Sequence, residues 1–346
     1  TPSVISVRLT KIKNEFNFSD NLNIKMERKM KYSKFKSLTY EEHDDFEEFW
    51  KKNKFIKDIF EDSWLFSQNY KHFNDIDECV YLVTSRIKKT LTDKIYDKKQ
   101  EYVICCFSNY KINNTEDKIN KTEGKINKIE GNELMWAHYA NSSKGIRIDF
   151  TIDEKFKKYV KEVQYDLKHC FNSDEELKEV LKSGLENIMR RKGKVWEYEQ
   201  EYRAIFSKYG EMNQYTKNKT DFFFPINIKA ITFGRGCGFF PDTKPYNDAE
   251  AYDFEQEQEN ARKHILKIAS FIYKVLKESN KYDSPRKIPK FYCYKDKYSS
   301  KPDRIKQYEI KKQLRLLKEI DKTKDKIQNL EQKIVDLKKE INGESE

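Results

Sequence analysis

Long apolar runs are missing from this sequence of 346 residues. Lys or Glu interrupts each hydrophobic stretch well before the roughly 18 residues that a membrane-spanning helix needs, and the mean hydropathy is −0.96. The first residues also lack the apolar segment of a secretory leader. We therefore expect a cytoplasmic protein without a membrane partner.

Cysteine is sparse, and no two cysteines have the C-x-x-C spacing of a closed zinc site. The six cysteines are Cys79, Cys105, Cys106, Cys170, Cys237 and Cys293. Their scatter also argues against a disulfide framework and favours a reducing compartment. We expect no bound metal. A glycine-rich dinucleotide fingerprint is missing as well, because Gly-Arg-Gly-Cys-Gly at 234–238 matches it poorly.

Neither sign of charge dominates the chain. The 69 Lys and Arg exceed the 58 Asp and Glu by 11, which gives a net charge of +11. Lys alternates with Glu and Asp almost everywhere, so the pattern predicts a solvated surface of mixed charge, and a nucleic-acid partner stays open. The 23 Phe, 22 Tyr and 4 Trp supply enough apolar area for a core.

Hydrophobic spacing predicts an α+β fold. Short apolar or alternating runs predict strands at 64–67, 102–107, 145–150, 201–206 and 228–233. Helical spacing is found at 41–60, 174–191 and 261–276. We divide the chain into an N-terminal arm (1–27), an α+β core (28–300) and a C-terminal coiled-coil helix (301–346). Within the core, residues 111–131 repeat a polar heptapeptide three times and predict a solvated insertion loop.

The C-terminal segment has a heptad pattern. Ile recurs at seven-residue intervals at a positions, and Leu occupies most d positions, which favours a parallel two-stranded coiled coil. These residues are Ile320, Ile327, Ile334 and Ile341 with Leu316, Leu330 and Leu337. The pattern predicts a homodimer through residues 313–341. A terminal helix folded back on its own core is the alternative, and Thr323 at a d position weakens the seam.

Polar residues next to aromatic runs mark the candidate site. Residues 196–203 read Trp-Glu-Tyr-Glu-Gln-Glu-Tyr-Arg, and in a strand Glu199, Glu201 and Arg203 would share one face. Neighbouring carboxylates push each other's pKa values apart while an arginine keeps one ionised, which suits acid/base and oxocarbenium chemistry. An arginine–carboxylate network that only orients the sheet is the alternative.

The ordered motifs of residues 30 to about 280 resemble the bacterial family known as domain of unknown function 2971. The strongest motifs are Trp-Ala-His-Tyr-Ala at 136–140 and Tyr-Glu-Gln-Glu-Tyr-Arg at 198–203. The others are Phe-Ser at 66–67, Phe-Asn-Asp at 73–75, Glu-Cys at 78–79, Cys-Phe-Ser at 106–108, Lys-Gly-Ile at 144–146 and Phe-Gly at 233–234.

The motif order is also similar to the arginine, serine, glutamate order of ADP-ribosyltransferases. This resemblance implies a mixed central sheet of that type flanked by helices, with NAD as a substrate. It places Glu201 on the ribose of NAD and Glu199 toward an acceptor, which is a protein or a nucleic acid. It assigns Arg203 to the catalytic group and gives the remaining cofactor-binding positions as Lys36, Ser67, Asn74, Asp75, Ser108, Trp136, His138 and Tyr139. Similar bacterial proteins act in growth arrest or phage defence, so we expect a toxin or an antiviral effector.

Two other functions stay open. Asp75, Glu78, Glu199 and Glu201 offer the oxygen ligands of a magnesium-dependent nuclease, although the Glu-x-Glu segment lacks a nearby catalytic lysine. A non-catalytic protein assembled through its coiled coil is the other possibility. His138 fits a ribose or phosphate contact, but a histidine satisfied by a backbone carbonyl is an equal alternative.

Overall fold

The computed structural model describes residues 31–73, 78–109, 130–165, 170–237, 248–279, 287–295 and 302–341. The predicted N-terminal arm, Asn74, Asp75 and most of the predicted insertion loop lie outside these ranges. Helices and strands alternate irregularly along the chain, which confirms the predicted α+β class with a mixed central sheet and a C-terminal helix.

The bounds of the elements follow the chain. The first strands are β1 (Tyr32–Lys36), β2 (Trp64–Ser67), β3 (Leu82–Val83), β4 (Tyr102–Ser108), β5 (Ile146–Thr151), β6 (Val160–Glu162), β7 (Gln164–Tyr165) and β8 (Cys170–Phe171). The later strands are β9 (Arg191–Lys192), β10 (Glu201–Ser207), β11 (Thr216–Lys217), β12 (Asp221–Pro225), β13 (Asn227–Phe233), β14 (Lys290–Cys293) and β15 (Asp303–Ile305). The α-helices are α1 (Phe46–Lys52), α2 (Lys54–Asp62), α3 (Lys89–Gln100), α4 (Glu130–Tyr139), α5 (Glu154–Lys157), α6 (Asp174–Ser183), α7 (Glu186–Met189), α8 (Asp248–Glu278) and α9 (Gln307–Ile341).

The main sheet has eight strands in the order β15-β14-β13-β5-β1-β4-β10-β6. The pair β13 and β14 is parallel, and the other neighbouring pairs are antiparallel. A second sheet has the order β11-β12-β2. The strand predicted at 102–107 is β4 and lies inside the main sheet, as its nearly continuous apolar sequence indicates.

Strand β4 is shared between the two sheets. On one side it pairs with β10 along its whole length. On its other side it meets β1 at Ser33 and Ser108, and it meets Gln68, which follows β2, at Ile104. Strands β1 and β2 therefore diverge from each other beside β4. We call the wedge between them, at residues 105–107 of β4, the fork.

The helical spacing at 41–60 gives two helices rather than one. The Asp45 carboxylate accepts the N–H of Glu48 and begins α1. The Asn53 side chain then ends it, because its amide nitrogen donates to the carbonyls of Thr39 and Phe49 and its amide oxygen accepts the N–H of Thr39. Side-chain hydrogen bonds of this kind compete with the helix but do not change the spacing of the apolar residues, so the spacing alone does not predict the break.

Glycines allow α4 and the ends of β1 and β13 to approach each other closely. A Cβ atom at Gly145 would overlap the carbonyl of Lys36, and one at Gly234 would overlap the carbonyl of Ser143 and the ring of Trp136. The Gly234 N–H donates to the carbonyl of Gly145 at 2.9 Å. Glycine is therefore required at both positions by space rather than by backbone angle.

Helix α9 packs on the core only near its beginning. Ile310 is fully buried and Leu314 and Leu317 lie against the main core, while Arg262 of α8 pairs with Glu309 at 2.7 Å. Every residue from 318 to 339 is exposed. At 1.5 Å per residue this part of the helix extends for about 33 Å. The apolar side chains of this part are therefore not buried against the described core.

Candidate functional site

Two carboxylates that are neighbours in sequence reach the site from different elements. Alternation along β10 places Glu201 and Arg203 on one face of the sheet. Glu199 ends a 3-10 helix, Lys194–Glu199, and Gln200 then takes a left-handed conformation with φ of 44°. The prediction that Glu199 continues the strand is therefore wrong. The turn at Gln200 nevertheless brings Glu199 back toward Glu201.

A buried ion-pair cluster joins these residues. The Nζ atom of Lys192 lies 2.7 Å from Glu78, 2.6 Å from Glu199 and 3.0 Å from Glu201. Arg203 pairs with Glu201 at 2.8 Å and with Glu78 at 3.3 Å, and it donates to the carbonyl of Met189 at 2.7 Å. No member is more than 8% exposed. We call Glu78, Lys192, Glu199, Glu201 and Arg203 the Lys192 cluster.

The electrostatics of the cluster separate its carboxylates. Burial alone would raise the pKa of Glu201, but the charges of Arg203 and Lys192 outweigh burial and hold that pKa far below its usual range. Burial dominates at Glu78 and raises its pKa, with Arg203 opposing the rise. The surrounding carboxylates outweigh burial at Lys192 and raise the pKa of its ammonium. Glu201 is thus firmly ionised, and Glu78 is protonated more easily than Glu201.

Aromatic side chains surround the cluster on the side of α4. The Tyr139 hydroxyl donates to Glu199 at 2.6 Å, and Tyr139 is 37% exposed. The Trp196 ring lies 5.1 Å from the Lys192 ammonium. On β7, the Tyr165 hydroxyl accepts the Glu201 N–H at 2.6 Å. Tyr139 therefore connects the buried carboxylates with solvent.

A row of buried polar residues runs from Glu201 across the main sheet. In register, Glu201 faces Ser108, Ser108 faces Ser33, and Ser33 faces Asp149. All four are at most 8% exposed. Asp149 accepts hydrogen bonds from Ser33 at 2.7 Å and from two nitrogens of Arg147 at 2.9 and 3.1 Å. Three strand spacings give this row a length of about 14 Å.

The structure separates the predicted cofactor-binding residues. Ser108 belongs to the polar row and Tyr139 touches the cluster. Trp136 packs edge-on against Phe35 at 5.0 Å, and His138 is exposed beside Tyr198. Asn74 and Asp75 lie outside the described residues.

Lys36 lies on the opposite face of the sheet from Glu201, because it alternates with Ser33 and Phe35 along β1. Ser67 lies on the neighbouring sheet, beside the Cys105 thiol. Neither residue faces the Lys192 cluster. The Lys192 cluster is therefore built without these two predicted positions.

Three residues of the cluster and the polar row were not predicted from the sequence. Lys192 sits in the basic run Arg-Arg-Lys at 190–192, which looks like ordinary surface, and its distance from the Glu-x-Glu segment gives no signal. Ser33 and Asp149 lie on strands whose pairing alone makes them neighbours. Asp149 could have been noticed because it is a charged residue within the buried strand 146–151.

Residues 135–204 match the model of a family described as protein of unknown function (DUF2971). The predicted resemblance to this family is confirmed. The matched segment includes Tyr139, Lys192, Glu199, Glu201 and Arg203, and so most of the site. No curated protein and no solved structure matches the chain significantly.

The cluster is a poor fit for a divalent metal ion. The point at which Glu78, Glu199 and Glu201 converge is taken by the Lys192 ammonium, at distances of 2.6 to 3.0 Å. A cation held there already neutralises the charge that would attract Mg²⁺. Within the described ranges, the group with metal-ligand spacing is Glu41, His43 and Asp44, where Lys52 already pairs with both carboxylates. The helices of the described segments include none that is long and apolar enough to cross a membrane.

Proposed function

We propose that this protein consumes NAD by cleaving the bond between nicotinamide and ribose, as ADP-ribosyltransferases do. The observation that carries the proposal is the charge of the Lys192 cluster. When all three carboxylates are ionised they outnumber the two cations by one, which leaves one negative charge uncompensated in a nearly dry site. No third cation contacts these five side chains within the described part of the chain.

An excess negative charge favours a ligand that is positively charged. The nicotinamide ring of NAD carries a positive charge, and its ribose develops one as the glycosidic bond breaks. The electron pair of that bond leaves with nicotinamide, which becomes neutral, and the ribose carbon then accepts water or another nucleophile. Low dielectric around the cluster strengthens its attraction for the transition state. Glu201 supports this role best, because its neighbouring cations keep it ionised.

Glu199 supports the second role, toward the acceptor. Its carboxylate accepts from Tyr139, which is the exposed residue of the site, so an acceptor reaches Glu199 from that side. A protein or a nucleic acid is the proposed acceptor, and water would make the enzyme a glycohydrolase. Ser108, beside Glu201, and the polar row toward Arg147 place further hydrogen-bonding groups next to the reacting centre. Depletion of NAD in the cytoplasm would suit a toxin or an antiviral effector.

The experiment that tests this proposal is incubation of the full-length protein with NAD, with nicotinamide release measured by chromatography. We expect release that is unchanged by EDTA, since the site offers no place for a metal. Release that EDTA abolishes would contradict the proposed mechanism. A complete lack of release under both conditions would show that the Lys192 cluster is a structural network.

We also propose that the exposed part of α9 assembles two chains. Ile320, Ile327 and Ile334 are 50 to 52% exposed, and Leu330 and Leu337 are 59 and 55% exposed. A stripe of this kind on a free helix matches the a and d positions of a parallel dimer. The side chain of Ile341, the last member of the series, lies outside the described residues.

Removal of residues 318–346 is expected to convert a dimer into a monomer without unfolding the core, because Ile310, Leu314 and Leu317 stay in place. Replacing Ile327 and Leu330 together with Asp should have the same effect, since carboxylates in the seam would be buried without partners. Light scattering measures the mass. The matched control replaces Gln328 and Asn329 with Asp, which adds the same charge outside the seam. A full-length protein that is monomeric at micromolar concentration would contradict the dimer.

A further inference from the structure

The fork contains a backbone carbonyl that lacks a strand partner. Cys106 lies between the residue of β4 that pairs with β1 and the one that pairs with Gln68. Its carbonyl oxygen instead accepts the ammonium of Lys34 at 2.6 Å. A lysine thus takes the place of a β-ladder hydrogen bond where the two sheets separate.

A second lysine and a hydroxyl accompany Lys34. Lys36 is two residues further along β1 and shares its face. Ser67, at the end of β2, is 2% exposed, and its hydroxyl lies beside the Cys105 thiol and makes no hydrogen bond to a nitrogen or oxygen of the described structure. The Cys105 thiol lies among all three. Burial raises the pKa of that thiol to about 11, and the charges of Lys34 and Lys36 and the adjacent Ser67 hydroxyl oppose the rise.

The two ammonium groups of the fork lack an ion-pair partner among the described residues. Neither Lys34 nor Lys36 forms an ion pair within the described ranges, although both side chains are partly buried. Burial, followed by the charge of Lys34, lowers the pKa of Lys36 to about 8. A counter-ion would stabilise the charged form of such a buried ammonium group.

We propose that the fork binds the phosphate group of a small anionic ligand through Lys34, Lys36 and Ser67. A phosphate dianion matches the two positive charges and offers enough oxygens to accept from both ammonium groups and from the hydroxyl. Lys34 and Lys36 lie on the face of the sheet opposite Glu201, so this site is separate from the proposed NAD site. Binding here does not depend on whether the protein cleaves NAD.

Calorimetric titration of the full-length protein with inorganic phosphate tests the proposal. We expect one phosphate per chain at pH 7, and at least about tenfold weaker binding to Lys36→Met, because a charged hydrogen bond contributes about 1.5 to 3 kcal/mol. Lys229→Met, which removes an exposed lysine from β13, should bind like the wild type. Binding should also weaken as the pH rises through about 8, where Lys36 loses its proton.

Additional measurements identify the source of the phosphate and control for misfolding of the variants. Titration with AMP distinguishes a phosphate ester from the free ion, since tighter binding of AMP indicates a nucleotide ligand and equal binding indicates free phosphate. Ser67→Ala, a small change, should weaken binding even if Lys36→Met is unstable. Wild-type affinity in both variants, or no binding by the wild type, would overturn the proposal. Loss of binding in Glu201→Gln alone would place the anion elsewhere and would also overturn it.

Discussion

Glu201→Gln is expected to lower nicotinamide release by about a hundredfold or more, because glutamine has nearly the same shape but no charge. The substitution brings the net charge of the Lys192 cluster from −1 to zero and removes the attraction for a developing oxocarbenium ion. Removal of one well-placed electrostatic group typically changes a rate by about 10² to 10³. Steady-state kinetics measure the effect, and we expect it in kcat rather than in KM.

The matched control for this variant is Glu162→Gln. Glu162 lies on the adjacent edge strand β6 and is exposed, so its replacement removes the same charge outside the cluster. We expect its rate to stay close to that of the wild type. Circular dichroism shows whether both variants are folded. A folded Glu201→Gln variant with an unchanged rate would refute the assigned role of this carboxylate.

Arg203→Met is expected to destabilise the protein by about 3 to 5 kcal/mol, which is the usual effect of removing one partner from a buried ion pair. Arg203 has an exposed fraction of 0%, and its loss leaves Glu78 and Glu201 with Lys192 as their remaining cation. It also leaves the Met189 carbonyl without its donor. Urea unfolding monitored by fluorescence gives the change in the free energy of unfolding.

Lys161→Met is the control for the arginine variant. Lys161 faces Arg203 in register on β6 but is only partly buried, so we expect a change within about 0.5 kcal/mol. A second substitution, Glu78→Gln, should recover part of the stability lost in Arg203→Met, since it removes a carboxylate that has lost one of its two cations. Equal stability of Arg203→Met and the wild type would contradict a buried, paired guanidinium.

The predictable part of this fold is the part that leaves a local mark on the sequence. Strands β2, β4, β5, β10 and β13 lie within one or two residues of their predicted bounds, because each is a short run of apolar or alternating residues. The ends of the helices were harder to predict from the sequence. The helical spacing at 174–191 breaks at Gly184, which has φ of 110°, and the spacing at 261–276 belongs to a much longer α8.

The candidate site was predictable only in part, because its geometry depends on pairing between distant segments. Glu201 and Arg203 share a strand face, which alternation predicts. Lys192 lies on the two-residue strand β9, and the 3-10 helix Lys194–Glu199 separates it from β10 in the sequence. No local sequence pattern indicates that Lys192 contacts Glu201. The placement of Lys36 behind the sheet follows from the register of β1 against β5, which no single-sequence pattern contains.

The sharing of β4 between two sheets also has a consequence for how the chain folds during synthesis. Its partners β1 and Gln68 precede it, but β10 leaves the ribosome only after about a hundred further residues, which takes roughly 5 to 20 seconds. Until then one whole edge of this strand, with the apolar residues Val103, Cys105 and Phe107, has no partner. An unpaired apolar strand edge readily associates with other chains. Slow, chaperone-assisted folding at low temperature should therefore increase the yield of native protein, because late pairing with β10 completes the sheet.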